Sequence, residues 1–288
     1  MILIAESGST KCDWVLLDRE GKEIDRFSTM GFNPYFHSPR FIAEHLLNLL
    51  RIQQLKKDVE SVFFYGAGCS TESLQVEVKR GLEQVFMHAE ITVDHDLLAA
   101  AYSTYNGEPE IACIIGTGSN SCFFDGHSVR EEVPALAFIL GDEASGSYLG
   151  KKLLSSFLYK QLPEEIEQDF VNTYQTSKDE ILDNVYNQPN ANVYLASFAR
   201  FVSKHQQHPF FGNIIQEGFD EFIRIHVLCY PESEWATVNF VGSVAYHMEI
   251  YLRTACKKAG VRFGRVIKKP VDGLVAYHLE HKIELESK

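Results

Sequence analysis

Paired cysteines, long apolar runs and an excess of positive charge are all missing from this chain, and each absence removes a class of function. The six cysteines, at positions 12, 69, 113, 122, 229 and 256, contain no C-x-x-C spacing. Neither a zinc knuckle nor a dithiol redox pair is therefore encoded, and packed thiols of a reducing compartment are the expectation. The eleven histidines form no H-x-x-x-H pair, and His205 and His208 read as surface residues rather than ligands. The opening apolar run meets Glu6 after Ala5 and has no basic start, too short for a signal peptide or a membrane span, so cytoplasmic residence is expected. Lys and Arg number 27 against 39 Asp and Glu, a formal charge of -12, which disfavours nucleic acid as a partner. No G-x-x-x-x-G-K-[ST] and no G-x-G-x-x-G occurs; a Walker A loop is absent and a nicotinamide-binding Rossmann unit is disfavoured.

What is present is enough apolar material for more than one compact core: 288 residues, 45% of them hydrophobic. The order of elements repeats. Ile2 to Ala5 is an apolar run, residues 6–11 (Glu-Ser-Gly-Ser-Thr-Lys) form a small-residue turn, and residues 12–17 return as a second run. About a hundred residues later Ile111 to Ile115, the turn Gly116-Thr117-Gly118-Ser119-Asn120, and Ser121 to Phe124 follow the same plan. Between the copies, strands at 62–65 and 91–93 alternate with helical patterns from about 39 to 50, 71 to 86 and 97 to 105. The second half reads as four or five amphipathic helices between Ala144 and Cys229, a strand at 238–241, a helix through about Lys258, a strand at 265–267 and a helix from Pro270. The fold class expected is α/β, with two related lobes of mixed sheet covered by helices: residues 1–105 and residues 106–288, the last helix free to pack back on the first lobe.

Several residues have the chemistry of a site. Gly8, Ser9, Thr10 and Lys11, and again Gly116, Thr117, Gly118 and Ser119, combine unhindered backbone amides with hydroxyls, and Lys11 adds a charge. Such turns suit an anion, although a polar hairpin turn needs nothing more than the same residues. Asp94 and Asp96 follow the strand 91–93 at its carboxyl end, where α/β sheets place reacting groups. Asp96 is either a base or the N-cap of the helix behind it. Asp142 and Glu143 read as two carboxylates at a helix start, either capping it or reaching phosphate-bound magnesium or sugar hydroxyls. Asn33, in Gly31-Phe32-Asn33-Pro34-Tyr35, is a turn residue suited to a sugar. Gly242 and Ser243 end a strand and open a helix, a plausible nucleotide contact.

Taken in order, these motifs resemble the N-acetylglucosamine kinase-like branch of the BadF/BadG/BcrA/BcrD ATPases, within the actin-like ATPase and sugar kinase superfamily. The resemblance runs nearly end to end: Glu6 to Lys11, Asp96-Leu97-Leu98-Ala99-Ala100, Gly116 to Asn120, Leu140 to Gly146, Phe240 to Ala245, and Lys269 to Val275. It implies a two-lobed actin-like fold with ATP between the lobes, phosphates on the two hairpins and adenosine near Gly242. It also implies an amino sugar held by Asn33, Asn120 and Asp142, Asp96 as base for transfer to the 6-hydroxyl, Mg2+ reached through water by Glu6, and a homodimer. Three departures stand out. Glu6 replaces a more common Asp, and Ala137 and Ala144 stand where glycine is usual. The competing expectations are an ATPase that couples hydrolysis to conformational change and a sugar sensor without turnover.

Overall fold

The computed structural model describes residues 1–283, which separate into two compact units, residues 1–105 with the chain from Pro270 onward, and Asn106–Lys269. The first unit runs β1 (Ile2–Ser7), β2 (Lys11–Leu17), β3 (Glu23–Met30), α1 (Pro39–Leu47), α2 (Leu50–Leu55), β4 (Ser61–Gly66), α3 (Glu72–Glu83), β5 (Glu90–His95) and α4 (Asp96–Thr104). Its sheet has the order β3-β2-β1-β4-β5. The β1–β2 and β2–β3 pairs are antiparallel, and β4 and β5 join in parallel.

Strand alternation sorts this sheet into two different faces. Leu3, Ala5, Trp14, Leu16, Val62 and Phe64 point into a core shared with Ile42, Leu46, Val78 and Leu82 of the covering helices. Each leucine, isoleucine, valine and phenylalanine among them contributes roughly 1.5–3 kcal/mol by leaving water. Trp14 also stacks on Phe27 at 5.9 Å and donates from Nε1 to Thr29 Oγ1 at 3.0 Å. Ser38, whose hydroxyl accepts the Phe41 amide, and Pro39 start α1 as the sequence predicts, while Thr71 caps α3. The helix expected from 39 to 50 is two helices, because the chain leaves helical geometry at Leu49.

The second unit contains β6 (Glu110–Ile115), β7 (Ser119–Phe124), β8 (Val129–Arg130), α5 (Ala137–Leu140), α6 (Gly146–Leu158), α7 (Glu164–Tyr174), α8 (Lys178–Tyr186), α9 (Ala191–Ser197), α10 (Ala199–Lys204) and α11 (Pro209–Phe222). A single π-turn (Ile223–Val227) and a 3-10 turn (Pro231–Glu234) follow, then β9 (Thr237–Val241), α12 (Ser243–His247), α13 (Glu249–Ala259) and β10 (Arg262–Ile267). Its sheet order is β10-β9-β6-β7-β8. As in the first sheet, an antiparallel hairpin is extended by parallel strands. Ile111, Cys113 and Ile115 of β6 reach a helical core built on Phe170, Phe211, Phe219 and Phe222.

The chain ends its described course in α14 (Val271–His281), which groups with the first unit and lies on α4. Gly273 permits the approach: a Cβ there would stand 2.3 Å from the Ser103 carbonyl oxygen. Tyr277 stacks on Tyr102 at 3.9 Å, and Arg26 pairs with Asp272 at 2.6 Å.

Candidate active site

The register of the first sheet places an acidic row across its strands. Asp13 of β2 faces Glu6 of β1, Glu6 faces Tyr65 of β4, and Tyr65 faces Asp94 of β5. Directly paired residues share a face, so these side chains all lie on the side covered by α4 and α14 and away from the Trp14 core. Ser28 of β3 extends the row by donating to Asp13 at 2.6 Å. Burial pushes the Glu6 carboxyl up to about 8, with the neighbouring Asp96 and then Asp13 raising it further and Lys11 opposing them. Lys11 forms an ion pair with Asp13 at 2.6 Å.

Asp96 is the first residue of α4, and the residue before it, His95, makes no side-chain cap. The N-cap position is thus that of His95, and the Asp96 carboxylate lies near Glu6 of the acidic row. Asp96 also acts on Cys69, whose thiol is pushed up to about 12 by burial first and then by Asp96 and Asp94. Asp94 is committed locally, accepting the His95 amide at 2.8 Å.

The turn after β1 closes with Gly8 N donating to the Lys11 carbonyl at 2.9 Å, and Gly31 lies directly against it, since a Cβ there would be 2.0 Å from the Gly8 oxygen. Ser7 ties in the next loop: its hydroxyl accepts the Phe32 amide at 2.8 Å. This brings the buried Asn33 to the end of β4, where its amide group fills the space a Gly68 side chain would occupy. Asn33 Oδ1 accepts the Tyr35 amide at 3.0 Å, which leaves the NH2 end oriented as the donor.

In the second unit the Gly116–Gly118 turn is anchored on α6. Gly146 N donates to the Gly116 carbonyl at 2.7 Å, Ser147 N to the Thr117 carbonyl at 3.0 Å, and Gly116 N to the Gly118 carbonyl at 2.9 Å. Gly242, at φ 122°, packs on the same strand end; a Cβ there would meet the Ile115 oxygen at 2.4 Å. Only glycine fits such a position. Gly116, Thr117 and Ser243 line a cavity of ≈ 500 Å³, together with Arg200, His247 and Lys268. The sequence reading missed these three basic residues because α10, α12 and the chain just after β10 carry no motif that ties them to the turn. A second depression of ≈ 360 Å³ around Tyr174, Tyr194 and Phe198 contains no residue singled out from the sequence.

Asp142 and Glu143 do not begin a helix, contrary to expectation. Ser145 caps α6 by accepting the Tyr148 amide at 3.1 Å, and the two carboxylates lie in the preceding turn, with Asp142 at φ 58° and Ala144 at φ 60°. Asp142 Oδ1 accepts the Ser119 amide at 3.1 Å, and Ser119 Oγ donates to the Glu143 carbonyl at 2.7 Å. Burial raises the Asp142 pKa, with the Ser119 amide the largest opposing effect. A side chain at Gly118 would lie 2.9 Å from that carboxylate. Asn120, next along β7, uses Oδ1 for the Ser121 amide at 2.9 Å and donates from Nδ2 to Glu131 at 3.3 Å.

The sequence profile of the BadF/BadG/BcrA/BcrD ATPase family matches residues 6–208. The chain belongs to this ATPase family. The matched span contains both turns, Asn33, Asp96 and Asp142, and stops short of Gly242 and Ser243. A candidate N-acetylglucosamine kinase of Porphyromonas gingivalis is 38% identical, with 98% of this chain and 99% of that one covered at a TM-score of 0.91. A candidate N-acetylglucosamine kinase of Chromobacterium violaceum has the same fold at 14% identity, covering 96% and 98% of the two chains at a TM-score of 0.70. So does a ROK family glucokinase of Streptomyces griseus, solved with glucose and AMPPNP, at 16% identity, 96% and 97% coverage and a TM-score of 0.60. No curated protein matches the chain. These likenesses agree with the two five-stranded mixed sheets, and the family's two-lobed α/β fold is the fold of this ATPase.

Proposed function

We propose that this ATPase is a kinase that transfers the γ-phosphoryl group of ATP to the 6-hydroxyl of an amino sugar, N-acetylglucosamine, with Asp96 as base. The observation that carries this reading is the position of Asp96: at the carboxyl end of β5, first residue of α4, and close enough to Glu6 to raise its pKa. The relative from Porphyromonas gingivalis supports the choice of sugar.

In this reaction the sugar oxygen attacks phosphorus as the bond to the ADP oxygen breaks, and the hydroxyl proton passes to an Asp96 carboxylate oxygen. A loose transition state asks for little proton abstraction early, so a carboxylate is a sufficient base. Asp94 spends one carboxylate oxygen on the His95 amide. Asn33, through its NH2 end, Asn120 and Asp142 hold the sugar hydroxyls and acetamido group. The amides and hydroxyls of Gly8, Ser9 and Thr10, with Lys11, and of Gly116, Thr117, Gly118 and Ser119 hold phosphate oxygens, while Gly242 and Ser243 border the space for the nucleoside.

Among the described residues no three His, Cys, Asp or Glu side chains are placed to hold a metal ion. Magnesium would arrive with the nucleotide, retain several waters and be reached by Glu6 through one of them. When bound, magnesium would supply neutralisation of the phosphate charge.

The test is ADP release with MgATP against N-acetylglucosamine, glucosamine, N-acetylmannosamine, N-acetylmuramic acid and glucose, with a control lacking sugar. The expected outcome is release stimulated by N-acetylglucosamine, with a phosphosugar product, and loss of about 10²–10⁴-fold on Asp96→Asn. Release that ignores every sugar would replace the kinase with an ATPase that drives conformational change. Near-normal turnover by Asp96→Asn would remove Asp96 as the base.

A further inference from the structure

A buried imidazole lies behind the segment that carries Asp142, on a face that no proposed substrate contact uses. His226, in the π-turn after α11, has 5% of its side chain exposed. Its Nε2 is 2.9 Å from Glu143 Oε2, and because an ionised carboxylate only accepts, Nε2 carries the donated hydrogen. Its ring stacks on Phe222 at 4.9 Å. Its backbone carbonyl accepts from Ser121 Oγ at 2.6 Å. Tyr230 Oη, just beyond the π-turn, donates to the Ser121 carbonyl at 3.0 Å.

These bonds close a circuit. Ser119 holds Glu143 through its carbonyl, Glu143 holds His226 through its side chain, His226 holds Ser121 through its carbonyl, and Ser121 is two residues from Ser119 on β7. Side chains alternate along a strand, so Ser119 and Ser121 face the circuit and Asn120 faces the opposite way. The circuit therefore fixes from behind both elements assigned to the sugar: Asn120 on β7 and Asp142 in the turn before α6. The turn needs an external hold, since Asp142 and Ala144 both occupy the left-handed region that disfavours side chains. A π-turn is a rare conformation frequently found at functional sites, and here it presents one residue by both side chain and carbonyl.

We infer that His226 is a positioning residue for sugar binding, acting through Glu143 and Ser121 on Asp142 and Asn120; this rests on the kinase reading above. It also accounts for the two unlike carboxylates of the segment: Asp142 is presented to substrate, and Glu143 is turned away to the imidazole.

The test compares His226→Phe, which keeps the ring contact with Phe222 but cannot donate, with His226→Gln and Glu143→Gln, which can retain a donor and an acceptor. KM for sugar, KM for ATP and kcat are measured alongside the melting temperature. The expected result is that His226→Phe raises the sugar KM by about tenfold with the ATP KM unchanged, the scale of effect that small misplacements produce, and that both glutamine variants recover most of the loss. An unchanged sugar KM in His226→Phe overturns the inference, as does an equal rise in both KM values, which marks a general loss of structure. Should His226→Phe not fold, Glu143→Leu breaks the same bond from the other side and is scored by the same criteria. Wild-type turnover without these effects defeats the positioning role alone, whereas a wild-type protein that neither binds nor phosphorylates any sugar defeats the kinase reading and the inference with it.

Discussion

The Asp142 carboxylate accepts the Ser119 amide at 3.1 Å, so the residue assigned to the sugar also fastens the turn that carries it to β7. The two roles separate by substitution. Asp142→Asn keeps an oxygen for the amide and should fold with nearly wild-type stability. Asp142→Ala leaves a buried N–H without its partner and should lose about 1–3 kcal/mol in urea titration. Both should lower kcat/KM for the sugar by about 10–100-fold, the worth of a hydrogen bond to a charged group. Full activity in Asp142→Asn would leave Asp142 with the turn alone.

Glu6 makes stability fall as pH rises. Its carboxyl is raised from 4.5 to about 8 by burial and by Asp96 and Asp13. Below pH 4.5 folded and unfolded chains are both protonated there. Between 4.5 and 8 the unfolded chain gives up a proton that the folded chain keeps, which favours unfolding. Glu6→Gln, neutral at every pH and similar in shape, should melt higher than wild type at pH 8 and near it at pH 4.5. Parallel melting curves for the two proteins across that range would show that Glu6 does not titrate there.

The parts of this molecule that the sequence displays are those written in consecutive residues. The turn Gly116-Thr117-Gly118 is legible because its glycines and hydroxyls are adjacent, and the β6–β7 hairpin because its apolar runs flank that turn. Ser38-Pro39 announces α1 through the chemistry of the cap itself. The acidic row is only half legible: Asp94 and Asp96 follow a strand, but Asp13 joins Glu6 through pairing register, which no local pattern reveals. Glu143 and His226 are 83 residues apart and meet through a π-turn inside what reads as an ordinary helix. The misplaced helix start at Asp142 has a local cause, since two residues in left-handed conformations delay α6 until Ser145 can cap it.

His278 makes stability depend on pH in the opposite sense to Glu6. It belongs to the buried face of α14, hydrogen-bonded to Tyr65 Oη at 2.8 Å and 4.5 Å from the Phe63 ring centre. Burial first, and then Lys282, lowers its pKa from 6.5 to about 4. Above pH 6.5 the ring is neutral in both states; as pH falls toward 4 the unfolded chain takes up a proton that the folded chain refuses, and stability declines. His278→Asn should be less stable at pH 7 by roughly 1–3 kcal/mol because the Tyr65 hydroxyl loses its partner. It should nevertheless lose less than wild type between pH 6.5 and 4, a difference that denaturant titrations at the two pH values would expose. Equal acid sensitivity in the two proteins would assign the decline to other groups.

Ala137 and Ala144 both sit at left-handed φ, 55° and 60°, which explains why glycine suits these positions, yet glycine should not help equally at the two. A left-handed conformation costs a residue with a Cβ roughly 1–2 kcal/mol, and removing that cost is offset in part by the greater freedom glycine gives the unfolded chain. Ala137 is exposed, so Ala137→Gly gives up no packing and should stabilise by about 1 kcal/mol, a rise of about 2–4 °C in Tm for a protein of this size. Ala144 is 2% exposed and packs in the helical core of its unit; losing a buried methyl costs about 0.8 kcal/mol, so Ala144→Gly should be close to neutral. Scanning calorimetry of the two single variants distinguishes the terms. Equal gains would mean that the Ala144 methyl contributes no packing, and a loss at position 137 would mean that backbone strain there is not what the alanine costs.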